Sequence, residues 1–303
     1  MFGTLAVAGI LTAAVGCDKQ ASALPAGRAS SLAGKPAVLY LLFGDRADPR
    51  LLPLATIASG RIAPLALDSA GWRAFDKLYF EPGSPVAVYL DGAALPATSI
   101  RRGMWSDAEA LYTLPGCHAL RPLGAVTLPA DPSLPASLEM LATSLAMPES
   151  KRAAPTPADL DSARAFAGRA AQRAGITRNA RDELDLLVQA IPTGATDRPT
   201  LAISYSEKGS GGGAHARHVF ALGDIGIDSY APTFFHTASD SAPEFRRLIG
   251  HVDLTGDGVD EVVLEGWRDK GDSYLVILQF TGGRWQEVAR SANSWCADVK
   301  TTA

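Results

Sequence analysis

The sequence predicts an α+β protein: a small strand-rich N-terminal domain, a helical connector and an all-β C-terminal domain. Three observations carry this. Short apolar runs bounded by Gly, Pro and Asp fill residues 36–128. A dense set of helix signals follows Pro155. From Asp185 onward, short strand-like segments recur at regular spacing with Gly-rich turns between them.

In the first domain (36–128), "PAVLYLLF" (36–43) is a continuous apolar run that suits a buried strand. "LLPLATIAS" (51–59) is a second. Asp68 caps "SAGWRAFDKLYF", in which Trp72, Phe75, Leu78 and Tyr79 recur at helical spacing. "SPVAVYLDG" (84–92) reads as a strand ending in an Asp-Gly turn, and "ALYTLPGC" with "LRPLGAVTL" as a further pair. In the connector (129–182), "SLPASLEMLATSLAM" is expected to be a helix. A second helix follows, with Thr156 as N-cap, Pro157 at its first position, Asp159 in its first turn and Gly175 past its end. Leu160, Ala163, Ala167 and Ala170 line one weakly apolar face, which requires close packing on something else. In the C-terminal domain (183–303), "DLLVQAIP" and "TLAISYSE" form a hairpin around "TGATDRP". The strands "RHVFALG", a run to Phe235, "LIGHV", "EVVLEGW", "SYLVILQF" and "RWQEVAR" follow.

A chain of 303 residues with 47% hydrophobic and 20% charged residues can bury a substantial core. Its net charge of −4 argues against a nucleic-acid partner bound through a general basic surface. No apolar stretch after the N-terminus reaches the ~20 residues that a spanning helix needs.

The N-terminus, "MFGTLAVAGILTAAVG", is uncharged and ends in small residues before Cys17. "AAVGC" resembles the lipobox of bacterial lipoproteins, although Ala14 stands where Leu is usual and no Lys or Arg lies near Met1. The resemblance implies a signal peptide (1–17), an acylated Cys17 as membrane anchor, and a polar tether over 18–35; a plain secretory signal or a buried N-terminal segment is the alternative. It places the protein in the bacterial cell envelope, on the periplasmic side, with the choice of membrane open. The other two cysteines, Cys117 and Cys296, allow one disulfide in an exported chain. The bridge would close a loop of about 180 residues, worth roughly 4–5 kcal/mol in the chain-entropy model; two buried free thiols are the alternative.

"DLTGDGVDEVVL" (253–264) is the stretch richest in chemistry. Counting Asp253 as position 1, the odd positions are Thr255, Asp257, Val259 and Glu261. Three carboxylates, a hydroxyl and a backbone carbonyl thus alternate, as in a loop that wraps a hard cation such as Ca²⁺. Asp260 falls at an even position and should point away. Leu264 stands where an EF-hand requires Glu, and the following segment is strand-like. The segment instead resembles the "DxDGDGxxD" calcium loop of FG-GAP repeats in integrin-type β-propellers, through Asp253, Gly256, Asp257, Gly258 and Glu261. Thr255 and Glu261 depart from the usual Asp or Asn and the usual Asp. The resemblance covers 248–290 and implies a C-terminal domain of propeller-blade type, though not a closed propeller, with a structural Ca²⁺. Residues 221–235, "ALGDIGIDSYAPTFF", are the candidate for a degenerate second copy. An acidic turn without an ion is the plain alternative.

Other constellations are weak. "GSGGGAHARH" (209–218) lacks a phosphate-loop Lys. His215, His218, His236 and His251 follow no metal-binding spacing. Asp107 and Glu109 near Trp105 carry no weight without a cleft. Trp72, Tyr79, Phe80, Trp105 and Tyr112 are expected in the core. The expectation is a non-catalytic binding protein of the envelope, recognising a protein or glycan partner. Its rival is an envelope hydrolase with a site at the domain interface, which would need a deep cleft holding His with Asp or Glu.

Overall fold

Alternation of apolar residues along the strands sorts the chain into five stacked layers. The computed structural model describes residues 34–290 apart from 96–97, 105–110, 114–119, 132, 149–151, 153, 209–216, 228 and 269–272. Cys17, Cys117, Cys296, His215, Trp105, Asp107 and Glu109 lie outside the described residues, as does the side chain of Tyr112.

The first sheet is built on β1 (Ala37–Asp45), whose first six residues are all buried. Its order is β5 (Ala93–Ala94), β4 (Ala87–Leu90), β10 (Ser137–Thr143), β1, β2 (Arg50–Ala58), β9 (Gly124–Thr127), β6 (Ser99–Arg102), with β3 (Arg61–Pro64) also on β2. β7 (Leu111–Thr113) and β8 (Leu120–Pro122) form the small pair expected from the sequence. Helix α1 (Ser69–Tyr79) starts at Asp68, whose carboxylate accepts from the Gly71 N–H at 2.7 Å. Phe75, Tyr79 and Phe80 pack on the outer face of the sheet with Val38, Tyr40 and Leu42.

β10 overturns one expectation. "SLPASLEMLATSLAM" is a strand, not a helix. Its Leu, Glu, Met and Ala favour helix intrinsically, but the segment fills the slot between β1 and β4, with Leu141 opposite both Leu41 and Tyr89. Leu138, Met140 and Ala142 enter the outer core, and Leu141 the inner one. Tertiary pairing decides against local propensity.

Helix α2 (Pro157–Arg173) begins where the sequence predicts, with a full capping box between Thr156 and Asp159. A short α3 (Arg178–Arg181) follows. Beyond it lie two four-stranded antiparallel meanders in chain order. The first comprises β11 (Leu184–Ile191), β12 (Thr200–Glu207), β13 (Val219–Ile225) and β14 (Tyr230–Thr237). The second comprises β15 (Glu244–Val252), β16 (Glu261–Arg268), β17 (Ser273–Thr281) and β18 (Arg284–Arg290).

The second meander is the central layer. Val262, Leu264, Val276 and Leu278 face the first meander, while Val263, Leu275 and Ile277 face the first sheet. α2 covers the far side of the first meander. Its alanine face lets it sit close: a Cβ at Gly223 would lie 2.6 Å from the Phe166 ring. The layers are therefore α1, first sheet, second meander, first meander, α2. No helix among the described residues is long and apolar enough to cross a membrane.

Candidate functional site

The acidic segment joins the first two strands of the second meander. Val252 pairs with Glu261, so residues 253–260 are the connecting loop. The equivalent loop of the first meander is 192–199, because Ile191 pairs with Thr200. Both loops have eight residues. The second copy expected at 221–235 is thus corrected: that segment falls on β13 and β14. By register, Pro192 and Thr200 occupy the places of Asp253 and Glu261.

Asp253 and Glu261 fold into the bend from either end, and only 2% and 1% of their surfaces are exposed. Asp253 accepts from the Gly256 N–H at 2.7 Å and the Gly258 N–H at 2.9 Å. Both glycines have positive φ, 78° and 86°, the region that favours glycine. Glu261 accepts from the Leu254 N–H at 2.7 Å and the Thr255 hydroxyl at 3.1 Å. Its carboxyl is pushed up to about 7, mainly by burial and secondarily by the charges of Asp257 and Asp253, against the lowering effect of those two hydrogen bonds. Asp257 is exposed and accepts from the Val259 N–H at 2.8 Å. The structure therefore brings Asp253, Thr255 and Glu261 onto one bend and leaves Asp257 at its rim. Among the described residues no group of three or more His, Cys, Asp or Glu side chains is poised to hold a metal. Nor does any cationic side chain among them form an ion pair with Asp253 or Glu261.

Asp260 points away from the bend, as its even position requires, but into a buried cluster. Its Oδ2 lies 2.6 Å from His251 Nδ1, and its Oδ1 lies 2.7 Å from Arg152 Nη1. Arg152 also donates to the carbonyls of Pro192, at 2.7 Å, and Gly258. One guanidinium thus ties both equivalent loops together. The His251 ring abuts the Asp91–Gly92 turn of the first sheet, where a Cβ on Gly92 would lie 2.8 Å from it.

No protein-family model, curated protein or solved structure matches this chain. The chemistry of the site therefore rests on its own residues. Sequence reasoning missed Arg152, because the residue it clamps, Asp260, is more than a hundred positions away. The one available signal was Asp260 itself, an acid left over from the alternating pattern. The other histidines also separate: His218 Nε2 accepts from the Arg246 N–H at 2.9 Å, with His236 beside it and His251 apart.

Proposed function

We propose that this protein is a non-catalytic, calcium-stabilised binding protein of a bacterial cell envelope, held to a membrane by an acylated Cys17. The observation that carries the cation is the pair of buried carboxylates, Asp253 and Glu261, which share one bend and have only neutral donors. Buried charge without a counter-charge is costly. A hard divalent ion supplies that charge through oxygen ligands. Asp253, Thr255, the Val259 carbonyl and Glu261 would hold it, with Asp257 at the rim. In this reading each meander is a propeller-type blade, and the first has lost its ligands to Pro192 and Thr200.

The hydrolase reading draws on His251 and Asp260, a hydrogen-bonded pair where the layers meet. Both side chains are buried, Arg152 takes the second oxygen of Asp260, and His251 Nε2 has no hydrogen-bond partner among the described residues. The pair fits a structural clamp better than a general base, which must reach substrate.

Thermal melting with added Ca²⁺ tests the cation. Millimolar Ca²⁺ should raise the melting temperature of the wild type, and Asp253→Asn or Glu261→Gln should remove the response. An unresponsive wild type, or an unchanged response in both variants, rejects the ion. Mass spectrometry of membrane-extracted protein tests acylation of Cys17.

A further inference from the structure

β14 and β18 are the outer strands of their meanders, and they approach each other near the end of α2. A cavity of about 440 Å³ opens there, within the size range of small-ligand sites. Arg173, in the last turn of α2, and Arg284, at the start of β18, both line it. Both are exposed, and neither forms an ion pair with a described carboxylate. Their neighbours differ: Arg246 pairs with Glu244 at 2.8 Å and Arg290 with Glu287 at 2.6 Å. The groove therefore holds positive charge that the described residues do not match.

The rest of the lining is mixed and well anchored. Half-buried Phe235 lines the side nearest α2, with the Arg173 guanidinium 4.9 Å from its ring centre, while Phe234, the preceding residue of β14, turns to the opposite face and packs between the meanders. Beneath them, the Trp285 indole and the Thr233 hydroxyl both donate to buried Asp224, which fixes the floor. Thr200 is the third donor to Asp224, so its oxygens are engaged inside the protein and do not face the groove as free acceptors. Gln286 adds an amide at the rim.

We propose that this groove binds an acidic glycan of the uronic-acid type. Arg173 and Arg284 would take the carboxylates, Gln286 the ring hydroxyls, and Phe235 a C–H face of the sugar. Guanidinium groups suit carboxylates because they donate in a planar fork. Aromatic side chains suit apolar ring faces. An acidic peptide matches the lining less well, because its carboxylates stand on flexible stems without the hydroxyl-bearing ring that Gln286 and Phe235 would meet. The proposal rests on the binding-protein reading but not on the cation at 253–261.

Calorimetric titration with a short oligogalacturonate, in EDTA so that the acidic loop takes no part, tests it. Wild type should bind saturably. Arg173→Gln with Arg284→Gln should weaken binding by about tenfold or more, with the melting temperature unchanged because both side chains are exposed. The methyl-esterified oligosaccharide should not bind. The site is overturned if the oligogalacturonate does not bind, if the ester binds equally, if the double variant binds as wild type does, or if a tetraglutamate peptide or inorganic phosphate binds more tightly. The calcium melting response is read separately, so failure of the groove and failure of the cation are distinguishable.

Discussion

Trp285 Nε1 donates a hydrogen bond to Asp224 Oδ2 at 2.8 Å, and this bond joins the two meanders across their shared core. Thr200 Oγ1 donates to the other oxygen of Asp224 at 2.6 Å, and Thr233 completes the set. Asp224→Ala would remove three charge-assisted bonds and strand the buried Trp285 N–H, while Thr200 keeps Thr193 and Thr233 keeps the Leu222 carbonyl as alternative partners. Charge-assisted bonds and one unsatisfied buried donor together make the expected loss about 3 kcal/mol. In a domain of this size that lowers the melting temperature by roughly 6–12 °C. Trp285→Phe keeps most of the apolar volume and should cost less. Equal losses in the two variants would show that packing, not the network, holds the meanders together.

Arg152 is expected to couple two loops that are far apart in sequence. It touches Pro192 in one and Gly258 and Asp260 in the other. Arg152→Ala should therefore speed amide hydrogen exchange in 192–199 and 253–260 together. A double-mutant cycle of Arg152→Ala with Asp260→Asn should return a coupling of about 1–2 kcal/mol, since the pair is largely buried. A coupling near zero would mean that the two loops are held independently.

Which parts were legible in the sequence follows from how local their causes are. The N-cap at Thr156 and the acid at Asp159 lie within four residues, and the structure shows both, joined as a capping box. The same holds for the turn at Asp91–Gly92; of the acids from Asp253 to Glu261, the two ends fold into one bend while Asp257 stays at its rim. The β10 strand was hidden because its residues favour helix until β1 and β4 flank them. The central position of the second meander was hidden too. "EVVLEGW" shows that both faces of β16 are apolar, but not which sheets cover them. His251, Asp260 and Arg152 form a cluster only after folding, and no spacing rule connects them.

His236 should govern stability in mild acid. Burial, then the charges of Arg246 and Arg290, lower its imidazole from 6.5 to about 3. The unfolded chain therefore takes up a proton that the folded chain refuses. Stability present above pH 6.5 is lost as pH falls from there towards 3. His236→Gln should flatten this limb of the stability profile, measured by urea unfolding. Asp159, lowered to about 2 by hydrogen bonds from Thr156 and Arg198, acts in a separate window. Its contribution is lost only as pH falls from about 4 towards 2, so Asp159→Asn should leave the upper limb unchanged. Glu261, raised from 4.5 to about 7, gains stability as pH falls over part of the same window and opposes this limb, so the His236 share is the difference between wild type and His236→Gln; the same slope in both would contradict the assignment.

Arg247 links the first sheet to the central layer through charge. Its Nε donates to Glu265 Oε2 on β16 at 2.7 Å, and both terminal nitrogens reach Glu139 on β10. Glu265 is buried on the face that meets the first sheet. Burial raises its carboxyl, and Arg247 opposes that rise. Arg247→Met keeps the apolar stem but leaves Glu265 without a cation. Breaking a buried pair from one side costs 3–5 kcal/mol; because Arg247 is about one-third exposed, solvent screening reduces the expectation to roughly 2 kcal/mol. The sign with pH is specific. In the variant the folded-state pKa of Glu265 lies still higher, so the protonated form is favoured and stability falls as pH rises through that value. Wild type should show less of this fall, because Arg247 compensates the charged form. Adding Glu265→Gln removes the titrating group, so the double variant should recover stability at high pH and lose the pH dependence. If Arg247→Met is equally destabilised at low and at high pH, its cost comes from packing between the layers, and the ion pair contributes nothing measurable.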